Sequence, residues 1–96
     1  MKDGAILLNT ARGGVVKDGD VIAALDSGKL YAYGTDVFQS DPCGADNPLA
    51  CHPRCVATPH VAWMPEETRA RVIQIAADTV AAFVADSPIH VVNRPK

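Results

Sequence analysis

Arg12, Asp36, Asp41 and His60 are the residues of this 96-residue chain whose types and positions can do chemistry together. An arginine presents a planar fork matched to a carboxylate, so Arg12 can grip an acid substrate bidentately. Histidine titrates near neutrality, which makes His60 the candidate for giving or taking a proton. A carboxylate beside an imidazole orients it and favours its charged form, a role open to Asp41. A short strand-like run stops at Asp36, in GTDVFQSDPCG, where an acid is costly unless it receives a donor such as an amide. Each residue also has a bland reading. Arg12 can be a solvated loop charge, Gly13 and Gly14 a tight turn, His60 a hydrogen-bonded strand cap and Asp36 a loop cap. It is their convergence on one edge of a sheet that favours a site.

That convergence depends on the elements. AILLNT (5–10) is a continuous apolar run ending in polar residues, as in a strand buried on both faces. After ARGG, a helix capped by Asp18 or Asp20 runs to about Ser27, with Val21 and Leu25 on its apolar side and Gly28 as its stop. LYAYGTDVF (30–38) reads as a second strand and CVATP (55–59) as a short third. Between them lies a loop with Asp46-Asn47-Pro48 turn chemistry. Pro65, Glu66 and Glu67 open a long helix to about Asp86, with Val72, Ile73, Ala76, Val80, Phe83 and Val84 at helical spacing. IHVVN (89–93) reads as a short strand or an extended clip. The β-α-β-loop-β-α order predicts an α/β fold with a parallel sheet. In such a sheet ligands bind beyond the carboxyl ends of the strands, and neighbouring strands lie about 4.8 Å apart. Arg12, both aspartates and His60 then share one crevice. Two helices are little cover for the sheet, whose faces and edge want partners.

Nine Lys+Arg against eleven Asp+Glu give a net charge of −2, and no basic stripe marks a nucleic-acid or anionic-membrane surface. No apolar run approaches the roughly 20 residues of a membrane span, and the one at Ala5 to Leu8 is too short for a signal peptide. The cytoplasm is the expected compartment. An odd number of cysteines, Cys43, Cys51 and Cys55, argues for thiols rather than bridges. With His52 they do not follow the spacing of a standard zinc pair, so no metal is expected.

Three stretches, GAILLNTARGGVV, GTDVFQSDP and VATPHVAW, followed by PEETRARVIQIAADTVAAF and a closing VVN, resemble in order the C-terminal part of the NAD-dependent D-isomer-specific 2-hydroxyacid dehydrogenases. The resemblance covers essentially the whole chain. It implies a Rossmann-type, doubly wound parallel sheet, of which these residues hold three strands and two main helices. It implies that Arg12 binds the substrate's carboxylate and carbonyl, that His60 exchanges the proton during hydride transfer, and that Asp36 faces the nicotinamide side of NAD or NADP. Thr10 and Ala11 line the same cofactor. Asp41 stands where the family usually has the glutamate paired with the histidine; being one methylene shorter, it holds His60 less firmly. Trp63, in a His-x-Ala-Trp sequence like that of glycerate dehydrogenase or hydroxypyruvate reductase-like members, shrinks the pocket towards small 2-keto acids, unless it simply packs under the long helix.

The family's Gly-x-Gly-x-x-Gly turn and the acid that reads the ribose have no counterpart in the sequence. Residues 1–96 therefore read as the second half of an NAD-binding domain with a C-terminal helix, without the Gly-rich half and the substrate domain. The expectation is a fragment that binds NAD poorly, is inactive alone and aggregates through unpartnered apolar surface. The complete form is expected to be a homodimer acting on a small 2-keto or 2-hydroxy acid of the hydroxypyruvate or glyoxylate type. Two other classes stay open: a non-catalytic NAD- or protein-binding module of the same fold, and an inactive gene remnant. Intact Arg12 and His60 weigh against the first of these, and an in-frame upstream Gly-rich turn would separate an enzyme from the second.

Overall fold

The computed structural model of the chain describes residues 1–40 and 42–93. It divides into two compact units, Met1–Ala62 and Trp63–Lys96. The first holds β1 (Ala5–Asn9), a 3-10 turn (Gly13–Val15), α1 (Asp18–Asp26), β2 (Leu30–Thr35) and β3 (Cys55–Ala57); the second holds α2 (Glu66–Val84). The strands form one sheet in the order β1-β2-β3, with both pairings parallel. Asn9 is in register with Thr35, and Thr35 with Ala57. The three carboxyl ends therefore stop on one line, and the residues that follow them emerge side by side.

The core lies on one face of this sheet. Val21 and Leu25 of α1 pack there with Leu30 and Tyr33 of β2 and with Phe38 and Leu49 from the connection 36–54. Leu25, Tyr33 and Leu49 are fully buried, each leucine stabilising by about 1.5–3 kcal/mol. The connection earns its place in the core through Asn47, whose Oδ1 accepts the N–H groups of Leu49 (2.9 Å) and Ala50 (3.1 Å) and so folds the turn that delivers Leu49. On the opposite face Ile6, Leu8, Tyr31 and Val56 are exposed. The apolar run of β1 thus alternates in this chain rather than being buried on both sides.

Other expectations shift for local reasons. β2 ends at Thr35, not Phe38: the Asp36 N–H still reaches the Asn9 carbonyl, but the Val37 N–H turns back to Thr35 Oγ1. β3 ends at Ala57, before Pro59, whose ring removes a ladder donor. The N-cap of α1 is Lys17, which makes no side-chain cap bond. Asp18 and Asp20 sit instead inside the first turn, where their charge favours the helix dipole. The orphan N–H of Asp18 is met at the surface by Gln39 Oε1 at 3.3 Å. Gly28 does stop α1, at φ +77°.

In the second unit α2 buries none of its residues, so Val72, Ile73, Val80, Phe83 and Val84 line an exposed stripe. The helix ends in a Schellman turn in which Ser87 N–H donates to the Ala82 carbonyl (2.9 Å) and Asp86 N–H to that of Phe83 (3.1 Å). Residues 89–93 form no strand; His90 Nδ1 meets Thr79 Oγ1 at 3.1 Å. No helix among the described residues is long and apolar enough to cross a membrane.

Two packing details yield predictions. A Cβ on Gly13 would lie 1.9 Å from the Phe38 carbonyl oxygen, a backbone atom that cannot turn aside. Gly13→Ala is therefore expected to destabilise the chain by about 2 kcal/mol or more, read from the urea midpoint. Among the described residues the buried Tyr33 hydroxyl meets no hydrogen-bond partner. Tyr33→Phe is expected to leave stability unchanged or raise it by about 1 kcal/mol, and a loss on that scale would reveal a partner for the hydroxyl.

Candidate active site

At the end of β1, Asn9 is buried and its side chain builds the turn that follows. Oδ1 accepts the N–H of Ala11 (3.1 Å) and Nδ2 donates to the carbonyl of Arg12 (3.0 Å). An asparagine at the end of an apolar strand must satisfy both ends of its amide, and folding the chain back on itself does so. Thr10, Ala11 and Arg12 are left exposed. Arg12 Nη1 donates to the Ala11 carbonyl at 2.8 Å, and Gly13 then presses against the backbone at Phe38 and Gln39. The Arg12 turn is thereby fixed to the segment that leaves β2.

At the end of β2, the Asp36 N–H donates to the Asn9 carbonyl at 3.1 Å, and its carboxylate is buried. Oδ1 accepts the hydroxyl of Thr58 and the N–H of Val61 (2.9 Å); Oδ2 accepts the N–H of Ala62 (2.9 Å). The Thr58 hydroxyl, then these two amides, hold the Asp36 carboxyl below its ordinary value of 3.8, outweighing the cost of burial, with a further contribution from His60.

Past β3, His60 adopts φ +56°, in the left-handed region. A side chain there costs about 1–2 kcal/mol, which surrounding structure must offset. Asp36, Phe38, Cys43, Thr58, Pro59 and His60 are among the residues around a cavity of about 270 Å³. The structure thus brings Asp36 and His60 together. Arg12, Thr10 and Ala11 are not among the described residues of the cavity wall; they occupy the neighbouring strand end. Asp41 lies outside the described residues, and Trp63 is an exposed residue of the second unit.

Sequence reasoning passed over Asn9 and Thr58. Their signal was faint: a polar residue closing an apolar run, and a hydroxyl one step past β3. Among the described residues no disulfide forms and no group of His, Cys, Asp and Glu is arranged to hold a metal ion. Burial pushes the Cys55 thiol up, with Cys43 and Asp18 adding to the effect.

A family model for the D-isomer specific 2-hydroxyacid dehydrogenases, NAD binding domain, matches residues 1–62. The hydroxypyruvate reductase of Blautia hydrogenotrophica is 44% identical over 94 residues, covering 98% of this chain and 29% of that protein. Among solved structures, the D-isomer specific 2-hydroxyacid dehydrogenase of Xanthobacter autotrophicus Py2 in complex with NADPH and MES superposes with a TM-score of 0.66 at 32% identity, over 100% of this chain and 38% of that one. The NAD-dependent formate dehydrogenase of Staphylococcus aureus in complex with NAD superposes with a TM-score of 0.67 at 31% identity, over 99% and 30%.

The Asp36 clamp has a definite pH dependence. A carboxyl whose folded pKa lies below its unfolded value contributes stability above the unfolded value and loses it as pH falls through the folded one. Carbon NMR titration of Asp36 is expected to give a midpoint below 3.8, with protection of the Val61 and Ala62 amides lost in the same range. A midpoint at or above 3.8 would contradict the clamp.

Proposed function

Because the chain belongs to the D-isomer specific 2-hydroxyacid dehydrogenases, matching their NAD-binding domain over residues 1–62, we propose that it carries the proton-transfer half of a site reducing small 2-keto acids to D-2-hydroxy acids. The observation that carries this reading is the placement of His60, which a buried acid fixes against a cavity at the carboxyl edge of a parallel sheet.

The residues present fit a nicotinamide dinucleotide, NAD or NADP. A carboxylate has about four acceptor sites, and the chain's own donors fill three on Asp36. Among the described residues, one site on Oδ2 remains for a carboxamide N–H. Thr10 and Ala11 line the cofactor from the adjoining strand end. When bound, the reduced nicotinamide supplies a hydride to the carbonyl carbon. His60, as imidazolium, gives its proton to the carbonyl oxygen and is left neutral. Arg12 holds the acid's carboxylate through its guanidinium fork, which fixes the face of the carbonyl that is presented. Asp41 supports the charged imidazole. The substrates are of the hydroxypyruvate or glyoxylate type, supported by the names of similar proteins, among them the glyoxylate reductase of Aeropyrum pernix.

The 96 residues alone are expected to show no turnover, since the exposed face of the sheet and the stripe of α2 leave apolar surface uncovered. A chimera in which this chain replaces the matching segment of the Blautia protein tests the roles. It is expected to oxidise NADH or NADPH with hydroxypyruvate or glyoxylate. His60→Gln is expected to lower kcat by about 10²–10⁴-fold with little change in cofactor affinity. Arg12→Lys is expected chiefly to raise KM for the keto acid. A His60→Gln chimera within a few-fold of the parent would overturn the reading.

A further inference from the structure

The segment after β3 has little packing to define it. Thr58, Pro59 and Ala62 are exposed, and His60 and Val61 are only partly buried. Polar contacts supply the definition instead. Thr58 N–H extends the ladder to the Thr35 carbonyl at 3.0 Å, and Pro59 brings no donor. His60 N–H turns back to the Thr58 carbonyl at 3.0 Å, in the left-handed conformation that tightens the loop. The next two amides, Val61 and Ala62, close on the two oxygens of Asp36. One carboxylate therefore binds the loop on both sides of His60, from Thr58 before it and from Val61 and Ala62 after it.

Within this arrangement the Thr58 hydroxyl has a particular part. It shares Oδ1 with Val61 N–H, and it comes from the strand end whose own backbone is locked by the ladder. A carboxylate held by two loop amides alone can rotate with that loop. A third donor rooted in the sheet fixes the plane of the carboxylate, and with it the direction in which both amides must point. We propose that Thr58, acting through Asp36, is a positioning residue for His60: it sets the carboxylate that holds the loop in its left-handed turn and keeps the imidazole at the cavity. This inference rests on the acid–base role of His60 given above. It gives Asp36 a duty that is complete before any cofactor binds.

Hydrogen exchange in the chain itself tests the proposal. Thr58→Val removes the hydroxyl and keeps the side chain's shape; Thr58→Ala does the same without branching and serves should the valine variant not fold. Either variant is expected to speed exchange at Val61 and Ala62 about tenfold, as loss of one hydrogen bond would, while the Tyr33 amide in the core is unchanged. Thr58→Ser, which keeps the donor, is expected to restore protection. Unchanged protection at Val61 and Ala62, or equal loosening of Tyr33, overturns the proposal. In the chimera, Thr58→Val is expected to lower kcat about tenfold at constant KM, with serine restoring it. Unchanged kcat beside a loosened loop also overturns it. A parent chimera without turnover counts against the keto-acid reading alone, and the exchange measurement still decides the clamp.

Discussion

A buried carboxylate must be met by donors, and at Asp36 that requirement organises the whole carboxyl edge of the sheet. Its amide reaches back to β1 through the Asn9 carbonyl, and its side chain reaches forward to the segment beyond β3. Directly after the central strand, Asp36 lies one hydrogen bond from each neighbour, as Thr35 before it does. The Asn9 amide then carries the same logic sideways and folds the turn that presents Arg12. Two side chains thus translate the register of three strands into the placement of an arginine and a histidine.

Apolar packing supports this frame from below. The cluster of Val21, Leu25, Leu30, Tyr33, Phe38 and Leu49 occupies one face only, and the long connection between β2 and β3 contributes as much to it as α1 does. Phe38 lies two residues past Asp36, so its burial and the close approach of Gly13 to Phe38 and Gln39 pin the chain just beyond the acid. The opposite face, with Ile6, Leu8, Tyr31 and Val56, keeps an apolar surface that this chain does not cover.

Much of the fold was legible because its signals are local. Val21 and Leu25 mark the buried side of α1 by their spacing, Gly28 marks its end, and alternation of strands with helices gives the parallel sheet. Boundaries were less legible where a distant partner decides them. β2 stops at Thr35, where the Val37 N–H turns back to the Thr35 hydroxyl, and the cap of α1 falls at Lys17, one residue earlier than Asp18, whose amide is met by Gln39 from 21 residues away. Asp36 and His60 stood out by chemical type. Asn9 and Thr58 did not, since an amide or a hydroxyl acquires meaning only when the register places its partner, and register is a property of strand pairs.

The strand order carries one more consequence. Each strand is laid on the same side of its predecessor, so among the described residues the winding never reverses. Open α/β sheets part their loops, and so admit a ligand, where the direction of winding changes. Among the described residues β2 has neighbours on both sides and β3 continues the same direction, which leaves the outer edge of β1 as the place for such a reversal. The exposed turn from Thr10 to Arg12 borders that edge. Arg12 follows β1 and His60 follows β3, so the two flank the end of the central strand.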